Sequence, residues 1–261
     1  MTECGLLPEF LPEEIRRCVD GAPCVRVTDG RSGADVWSIE KYGGLFLKRA
    51  PKGKLKNAAL MQNFLSPYRL APEALAYVSE AEDWLLSARA EGESGISPRF
   101  LCDPACLAAE MGLAARSFHE TPVSGCPVGP LSGEWREAFD RSARENPVFQ
   151  AYIGDYLGVK SAEEAVREVA RSDVPLSDDA VIHGDMCLPN FMFSDFRFTR
   201  MIDVGDGGLG DRNYDLFWAL WSMNYNFHTD RYKDVFLDAY GRDRADEDKI
   251  RLCGLLCTVG E

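Results

Sequence analysis

Over the first hundred residues, apolar and polar positions alternate in short runs punctuated by glycine. Val25-Arg26-Val27-Thr28 is a β-type run that stops at Asp29-Gly30, and over 36–40 Val36, Ser38 and Glu40 alternate with Trp37 and Ile39. After Tyr42-Gly43-Gly44 comes Leu45-Phe46-Leu47-Lys48. Three strands joined by glycine turns predict an antiparallel meander. A helix is expected over 55–65, then strands over 76–78 and 84–88 around an acidic turn at 80–83. Gly92, Ser94 and Gly95, with Pro98 after them, mark a link near 87–97.

From Asp103 onward the apolar spacing becomes helical. Asp103-Pro104 reads as a cap followed by proline at the first helical position, opening a helix that runs to His119 and stops before Pro122. Further helices are predicted over 133–146, 161–170, 211–223, 231–240 and 245–257. Ser161-Ala162-Glu163-Glu164 resembles a capping box. In the last helix Ile250, Cys253, Leu256 and Cys257 form one apolar face. Two short apolar runs, 180–182 and 201–202, each end at a charged cluster. The pattern predicts an α+β protein of two lobes: a β-rich lobe over 1–90 and an α-rich lobe over 91–261.

Composition narrows the classes. With 261 residues, 46% apolar and 27% charged, the chain is of the ordinary globular type. No run of 18 apolar residues occurs, so no membrane-spanning helix is expected. Residues 1–10 carry two acids and no basic region, so no secretory signal is expected. The 29 basic and 42 acidic residues give a net charge of −13, which argues against nucleic acid or an anionic membrane as partner. Such a charge suits a cationic small molecule, and plain solubility equally. Nine cysteines include no CxxC pair. Cys102/Cys106 and Cys253/Cys257 are spaced for one helical face but lack further ligands, so packing is favoured over zinc. The odd number points to a reducing cytoplasm.

Four clusters carry candidate chemistry. Residues 29–35, Asp-Gly-Arg-Ser-Gly-Ala-Asp, form a glycine turn between strands whose N–H groups can approach phosphate oxygens. Taken alone this is an ordinary hairpin turn, and no Walker lysine follows. Lys48 ends the next strand, where it is either a solvated edge residue or an ammonium within reach of the same phosphates. In Val181-Ile182-His183-Gly184-Asp185-Met186-Cys187-Leu188-Pro189-Asn190 an apolar strand delivers an aspartate and, five residues on, an asparagine. A carboxylate there can orient a hydroxyl and take its proton, and an amide oxygen can ligate a divalent ion beside it. His183 itself reads as a core histidine bonded to the loop backbone. In Met201-Ile202-Asp203-Val204-Gly205 a second apolar strand delivers Asp203. Asp-x4-Asn followed thirteen residues later by a strand-borne aspartate is the spacing of a kinase metal site, and Mg²⁺ needs only one or two such oxygens beside substrate phosphates.

These stretches give the chain a family likeness. It resembles the aminoglycoside phosphotransferases, most closely the 3′-phosphotransferase branch, which share the protein-kinase fold. The likeness rests on the string 183–190, on Ile202-Asp203-x-Gly205 running into Gly210-Asp211-Arg212-x-x-Asp215-Leu216, on Phe118-His119 with Cys126-Pro127, and on Trp84-Leu85-Leu86. The resemblance implies ATP and Mg²⁺, with Asp185 as the catalytic carboxylate and Asn190 and Asp203 as metal ligands. It implies Lys48 on the α- and β-phosphates, Ser32 over the β-phosphate, and the backbone around Ala88 and Ala90 against adenine. Asp215 would brace the catalytic loop and Arg212 would steady the Asp203 segment.

There are departures. The family's glutamate partner for the lysine should stand on the helix after that strand, yet 54–65 contains no acid; Ala58, Ala59 or Met61 is there instead. Restoring an acid at Ala58 or Ala59 is then expected to tighten ATP binding. The basic residue usual after Ile-Asp-x-Gly is Asp206, and the acidic, aromatic tail of the 3′ enzymes is reduced to Glu261 and its carboxylate. The reading is ATP-dependent phosphorylation of a hydroxyl on a cationic amino sugar. Asp155, Glu163 and Glu261 are candidates to receive its ammonium groups. A kinase for another small hydroxyl metabolite, or a nucleotide-binding protein without transferase activity, remains open.

Overall fold

The computed structural model describes residues 3–4, 7–8, 10–19, 21–27, 33–145 and 147–260. Ser32 and Glu261 lie outside these residues. The chain divides into two compact units, Met1–Glu91 with Thr199–Asp206, and Gly92–Phe198 with Gly207–Glu261.

In the first unit, β1 (Glu3–Cys4), β2 (Cys24–Val27), β3 (Asp35–Ile39), β4 (Leu45–Pro51), β5 (Ala74–Ser79) and β6 (Glu82–Ala88) form one antiparallel sheet in the order β1-β2-β3-β4-β6-β5. The predicted meander is thus β2-β3-β4. Alternation sends successive side chains to opposite faces. Trp37, Ile39, Leu45, Leu47, Trp84 and Leu86 pack with Ile15 and Val19 of α1 (Glu13–Val19). Leu85 instead packs with Ala50, Leu55 and Ala59, where α2 (Lys56–Leu65) begins. Asp83 fixes that corner from a fully buried position, accepting Leu55 N–H at 2.9 Å, the Tyr77 hydroxyl at 3.0 Å and the Ser79 hydroxyl at 2.7 Å. The segment 199–206 is tied on by Thr199 Oγ1 to the Glu91 carbonyl (2.6 Å) and Met201 N–H to the Leu70 carbonyl (2.8 Å).

The second unit is mainly helical: α3 (Pro98–Leu101), α4 (Pro104–His119), α5 (Ser132–Glu145), α6 (Ala151–Leu157), α7 (Ala162–Arg171), α8 (Arg212–Phe227), α9 (Lys233–Tyr240) and α10 (Glu247–Leu256). Short strands pair antiparallel: β7 (Glu93–Ser94) with β10 (Phe191–Ser194), β9 (Ala180–Ile182) with β12 (Gly208–Gly210), and β8 (Val148–Phe149) with β13 (Val259–Gly260). β11 (Arg197–Met201) follows β10. Helix starts follow their caps: Asp103 accepts Cys106 N–H at 3.1 Å, and Asp246 accepts those of Asp248 and Lys249. At α7 the Ser161 hydroxyl caps Glu164, but Glu164 returns its carboxylate to Lys160 N–H, one residue earlier than a capping box requires. One helix contact is unusually close: a Cβ on Gly112 of α4 would lie 2.4 Å from the Phe236 carbonyl of α9. The core of this unit gathers Phe139, Val159, Ala165 and Val169 with Leu252, Leu255 and Val259. Ile153, Phe217 and Cys253 form a second cluster.

Candidate active site

Chemistry-bearing side chains collect at one place in each unit. In the second, β9 is fully buried and ends at His183, which opens the loop leading to the 3₁₀ turn Leu188–Asn190. Gly184 takes φ +83°, a left-handed conformation that favours glycine, and its N–H is thereby aimed at a carboxylate. That carboxylate is Asp215 of α8, fully buried: Oδ1 accepts Gly184 N–H at 2.9 Å and Oδ2 accepts His183 N–H at 2.7 Å. A third contact comes from the His119 ring, whose Nε2 lies 3.0 Å from Asp215 Oδ2 and whose Nδ1 lies 2.9 Å from the Tyr240 hydroxyl. His183 is buried and its Nδ1 accepts Asp185 N–H at 3.1 Å. It is a backbone-bonded core histidine, as the sequence suggests.

Asp185 is therefore held from behind. Its carboxylate is held too: Asn190 Nδ2 donates to Asp185 Oδ2 and to the Asp185 carbonyl, both at 2.9 Å. The amide nitrogen is committed, and the oxygen is the remaining polar atom of Asn190. Two residues beyond Asp185, the Cys187 thiol is pushed up from its ordinary pKa, first by burial and then by the charge of Asp185, so it stays a thiol. The loop also hangs on α8: Leu188 N–H donates to Ser222 Oγ at 2.9 Å, and Cys187 Sγ reaches the Trp218 carbonyl at 4.0 Å.

In the first unit, Lys48 sits on β4 opposite Leu85 of β6. Its Nζ forms an ion pair with Asp203 Oδ1. Asp203 has φ +59°, a left-handed conformation uncommon outside glycine. α2 packs beside this turn: a Cβ on Gly205 would touch the Ala58 Cβ at 3.4 Å. Among the described residues the carboxylate paired with Lys48 is thus that of the Asp203 turn, and α2 offers none. Asp35, the last residue of the glycine loop, pairs with Arg26 and with Arg49, which donates through Nε at 3.1 Å. The Arg49 hydrogen bond holds the Asp35 carboxyl below its ordinary range, outweighing the effect of burial. Ala88 ends β6 with its N–H on the Glu73 carbonyl at 2.9 Å, and Ala90 is buried two residues on.

The second unit thus holds an aspartate–asparagine loop steadied by a buried carboxylate, and the first a strand lysine paired with a turn aspartate. Over residues 24–253 the sequence matches the phosphotransferase enzyme family. The chain belongs to that family. Within it the chain falls in the aminoglycoside 3′-phosphotransferase branch. It is 32% identical over 249 residues to a probable aminoglycoside 3′-phosphotransferase of Lactococcus lactis, spanning 94% of each chain. It is 27% identical to an aminoglycoside 3′-phosphotransferase of Niallia circulans, covering 92% of this chain and 94% of that one. The fold superimposes on the crystal structure of an aminoglycoside 3′-phosphotransferase of type VIII with a TM-score of 0.72 at 25% identity, covering 94% and 96% of the two chains.

Within this phosphotransferase some participants were not visible in the sequence. Tyr240 behind His119 and Ser222 behind Leu188 carry no local pattern, since their partners lie 121 and 34 residues away. Arg212, read as steadying the Asp203 segment, has its guanidinium 3.8 Å from Asp179.

Proposed function

We propose that this phosphotransferase moves the γ-phosphoryl group of ATP to a hydroxyl of an aminoglycoside. The observation that carries the reading is the Asp185 loop, whose backbone is pinned by Asp215 and His183 and whose Oδ2 is fixed by Asn190. Phosphoryl transfer asks mainly for position and charge stabilisation, and such a loop supplies position. The acceptor oxygen attacks the γ-phosphorus, the bond to the β–γ bridging oxygen breaks, ADP leaves, and the hydroxyl proton passes to Asp185. Oδ1 is the oxygen for that task, because Oδ2 is occupied by Asn190.

Asn190 and Asp203 are assigned to Mg²⁺. Both offer hard oxygen donors, an amide oxygen left over once the nitrogen is committed and a carboxylate that already holds a cation, Lys48. Bound there, the ion would neutralise charge on the phosphates. Lys48 is assigned to the α- and β-phosphates and Ser32 to the β-phosphate. Since the Ala88 N–H is taken by Glu73, adenine would meet the Ala88 carbonyl and the Ala90 N–H. In this reading residues 1–90 bind nucleotide and 91–261 bind acceptor and perform the transfer, in the cytoplasm, where ATP is available. The acid-free α2 favours a nucleotide-binding protein without transferase activity; against that stands the carboxylate that Asp203 brings to Lys48.

Asp185→Asn tests the reading. It should leave ATP affinity within about twofold, by nucleotide titration, and lower turnover of an aminoglycoside such as kanamycin by roughly 10²–10⁴. A variant keeping more than half the wild-type rate removes Asp185 from the mechanism. Turnover of a neutral hydroxyl compound with no aminoglycoside reacting would replace the acceptor class.

A further inference from the structure

His119 closes α4 and Tyr240 closes α9. The two helices approach closely because Gly112 has no side chain: a Cβ there would lie 2.4 Å from the Phe236 carbonyl and 3.0 Å from Tyr240 N. Tyr240 is fully buried, its ring stacked on Phe236 with centroids 6.4 Å apart and edge-on to the His119 ring at 5.6 Å. Its hydroxyl lies 2.9 Å from His119 Nδ1, and His119 Nε2 lies 3.0 Å from Asp215 Oδ2. The same hydroxyl is hydrogen-bonded by the Arg212 guanidinium. Burial pushes the Tyr240 hydroxyl up to about 12, and Arg212 opposes that rise without cancelling it, so the phenol keeps its proton near neutral pH.

These groups leave one arrangement of protons. A guanidinium only donates, so the Tyr240 oxygen accepts from Arg212 and the single phenol proton goes to His119 Nδ1. A ring nitrogen that accepts is unprotonated, so the imidazole proton sits on Nε2 and is donated to Asp215. Asp215 in turn accepts His183 N–H at 2.7 Å and Gly184 N–H at 2.9 Å, and His183 Nδ1 accepts Asp185 N–H at 3.1 Å. The chain of donors therefore runs from Arg212 to the backbone of Asp185 with every step buried or half-buried. With the imidazole proton on Nδ1 instead, an Nε2 lone pair would face the carboxylate and push it away from the loop.

We propose that Tyr240, aligned by Arg212, is a positioning residue for phosphoryl transfer: its hydroxyl fixes the tautomer of His119, through it the Asp215 carboxylate, and so the backbone that carries Asp185. Without the hydroxyl, His119 Nδ1 is a buried acceptor with no donor, and the ring can shift its proton or take a second one. Asp185 then samples positions from which the acceptor hydroxyl is poorly aimed, which costs turnover rather than binding. The inference rests on the reading of Asp185 above.

The test is steady-state kinetics with kanamycin and ATP on the full-length wild type, Tyr240→Phe, His119→Gln and the double variant, with kcat taken per nucleotide-binding site so that any unfolded fraction drops out. Tyr240→Phe keeps both ring contacts and loses only the hydroxyl. Its kcat should fall about 5–30-fold while the KM values for kanamycin and ATP stay within about twofold. Glutamine at 119 offers an N–H in place of Nε2–H and has no tautomer to set. Whatever His119→Gln costs by itself, adding Tyr240→Phe to it should change kcat by less than about twofold. Nitrogen NMR of the imidazoles, of which the chain has three, should show His119 protonated at Nε2 alone in the wild type and in mixed forms in Tyr240→Phe. A wild-type kcat in Tyr240→Phe, a loss confined to KM or to the denaturant midpoint, two losses that multiply in full, or an Nδ1 proton on wild-type His119 would each overturn the positioning role and leave Asp185 in place. If Asp185→Asn keeps more than half the rate, or the wild type phosphorylates no aminoglycoside, the reading itself fails and the role of Tyr240 falls with it.

Discussion

Lys48 is paired with the carboxylate of Asp203, in the turn that follows β11. Where the family likeness leads one to look for an acid, α2 offers Ala58 and Ala59, and the ion pair is made with Asp203 instead. The alanines have structural uses. Ala59 is 3% exposed and packs with Leu55, Ala50 and Leu85, while Ala58 lies against Gly205 in the turn that carries Asp203. A longer side chain at Ala58 would push on that turn, and a carboxylate at Ala59 would be buried among apolar groups. These contacts argue against the expectation that an acid here tightens ATP binding. Ala58→Glu should raise the ATP dissociation constant severalfold by displacing Asp203, measured by nucleotide titration. Ala59→Glu should destabilise the fold by about 1–3 kcal/mol from overpacking alone, read from denaturant midpoints. Tighter ATP binding in Ala58→Glu would show that the glutamate can be restored without disturbing the turn.

At the scale of elements, α8 organises the second unit, and its cap can be tested by pH. Asp211 is fully buried at the helix start, accepting Asn213 N–H at 3.0 Å, Ser177 N–H at 2.9 Å and Lys249 Nζ at 3.1 Å. Burial pushes its pKa up, but the bonds from Asn213, Ser177 and Lys249 outweigh burial and the carboxyl lies below its ordinary value. A depressed native pKa gives stability that is present above the unfolded value of about 3.9 and is lost as pH falls through the native value. Asp211→Asn keeps a capping side chain and removes the charge. It should cost about 1–3 kcal/mol at pH 7, and the gap to wild type should narrow below about pH 4, as seen in urea midpoints at pH 7 and pH 3. A gap unchanged across that range would mean the charge contributes nothing. The start of α8 was legible because Asp211 and the apolar run after it are consecutive, and α4 and α7 were legible through Asp103 and Ser161. The pair β8 and β13 was not. Each has two residues and is defined only by a partner more than a hundred positions away. α6 was missed because its seven residues include Gly154, which is there for close approach to Phe149 (2.3 Å from a built Cβ) rather than for helix propensity. The β10 strand did leave a signal, the alternation of buried Phe191 and Phe193.

At the scale of the whole molecule, charge outranks any single contact. A chain of net charge −13 attracts a polycationic acceptor from a distance and repels nucleotide triphosphate, so capture of ATP needs local positive charge. Both effects are screened over about 8 Å at physiological ionic strength. The two substrates should therefore respond to salt in opposite directions. The KM for a polycationic aminoglycoside should rise between low and high ionic strength, while long-range repulsion of ATP fades. An aminoglycoside with fewer ammonium groups should show a shallower rise, because the attraction scales with ligand charge. The measurement is KM for acceptors of graded charge at two salt concentrations, with ATP saturating. Equal salt dependence for all acceptors would locate recognition in ring contacts alone. A slope that steepens with each ammonium would show that the field of the −13 chain, rather than any one contact, draws the acceptor in.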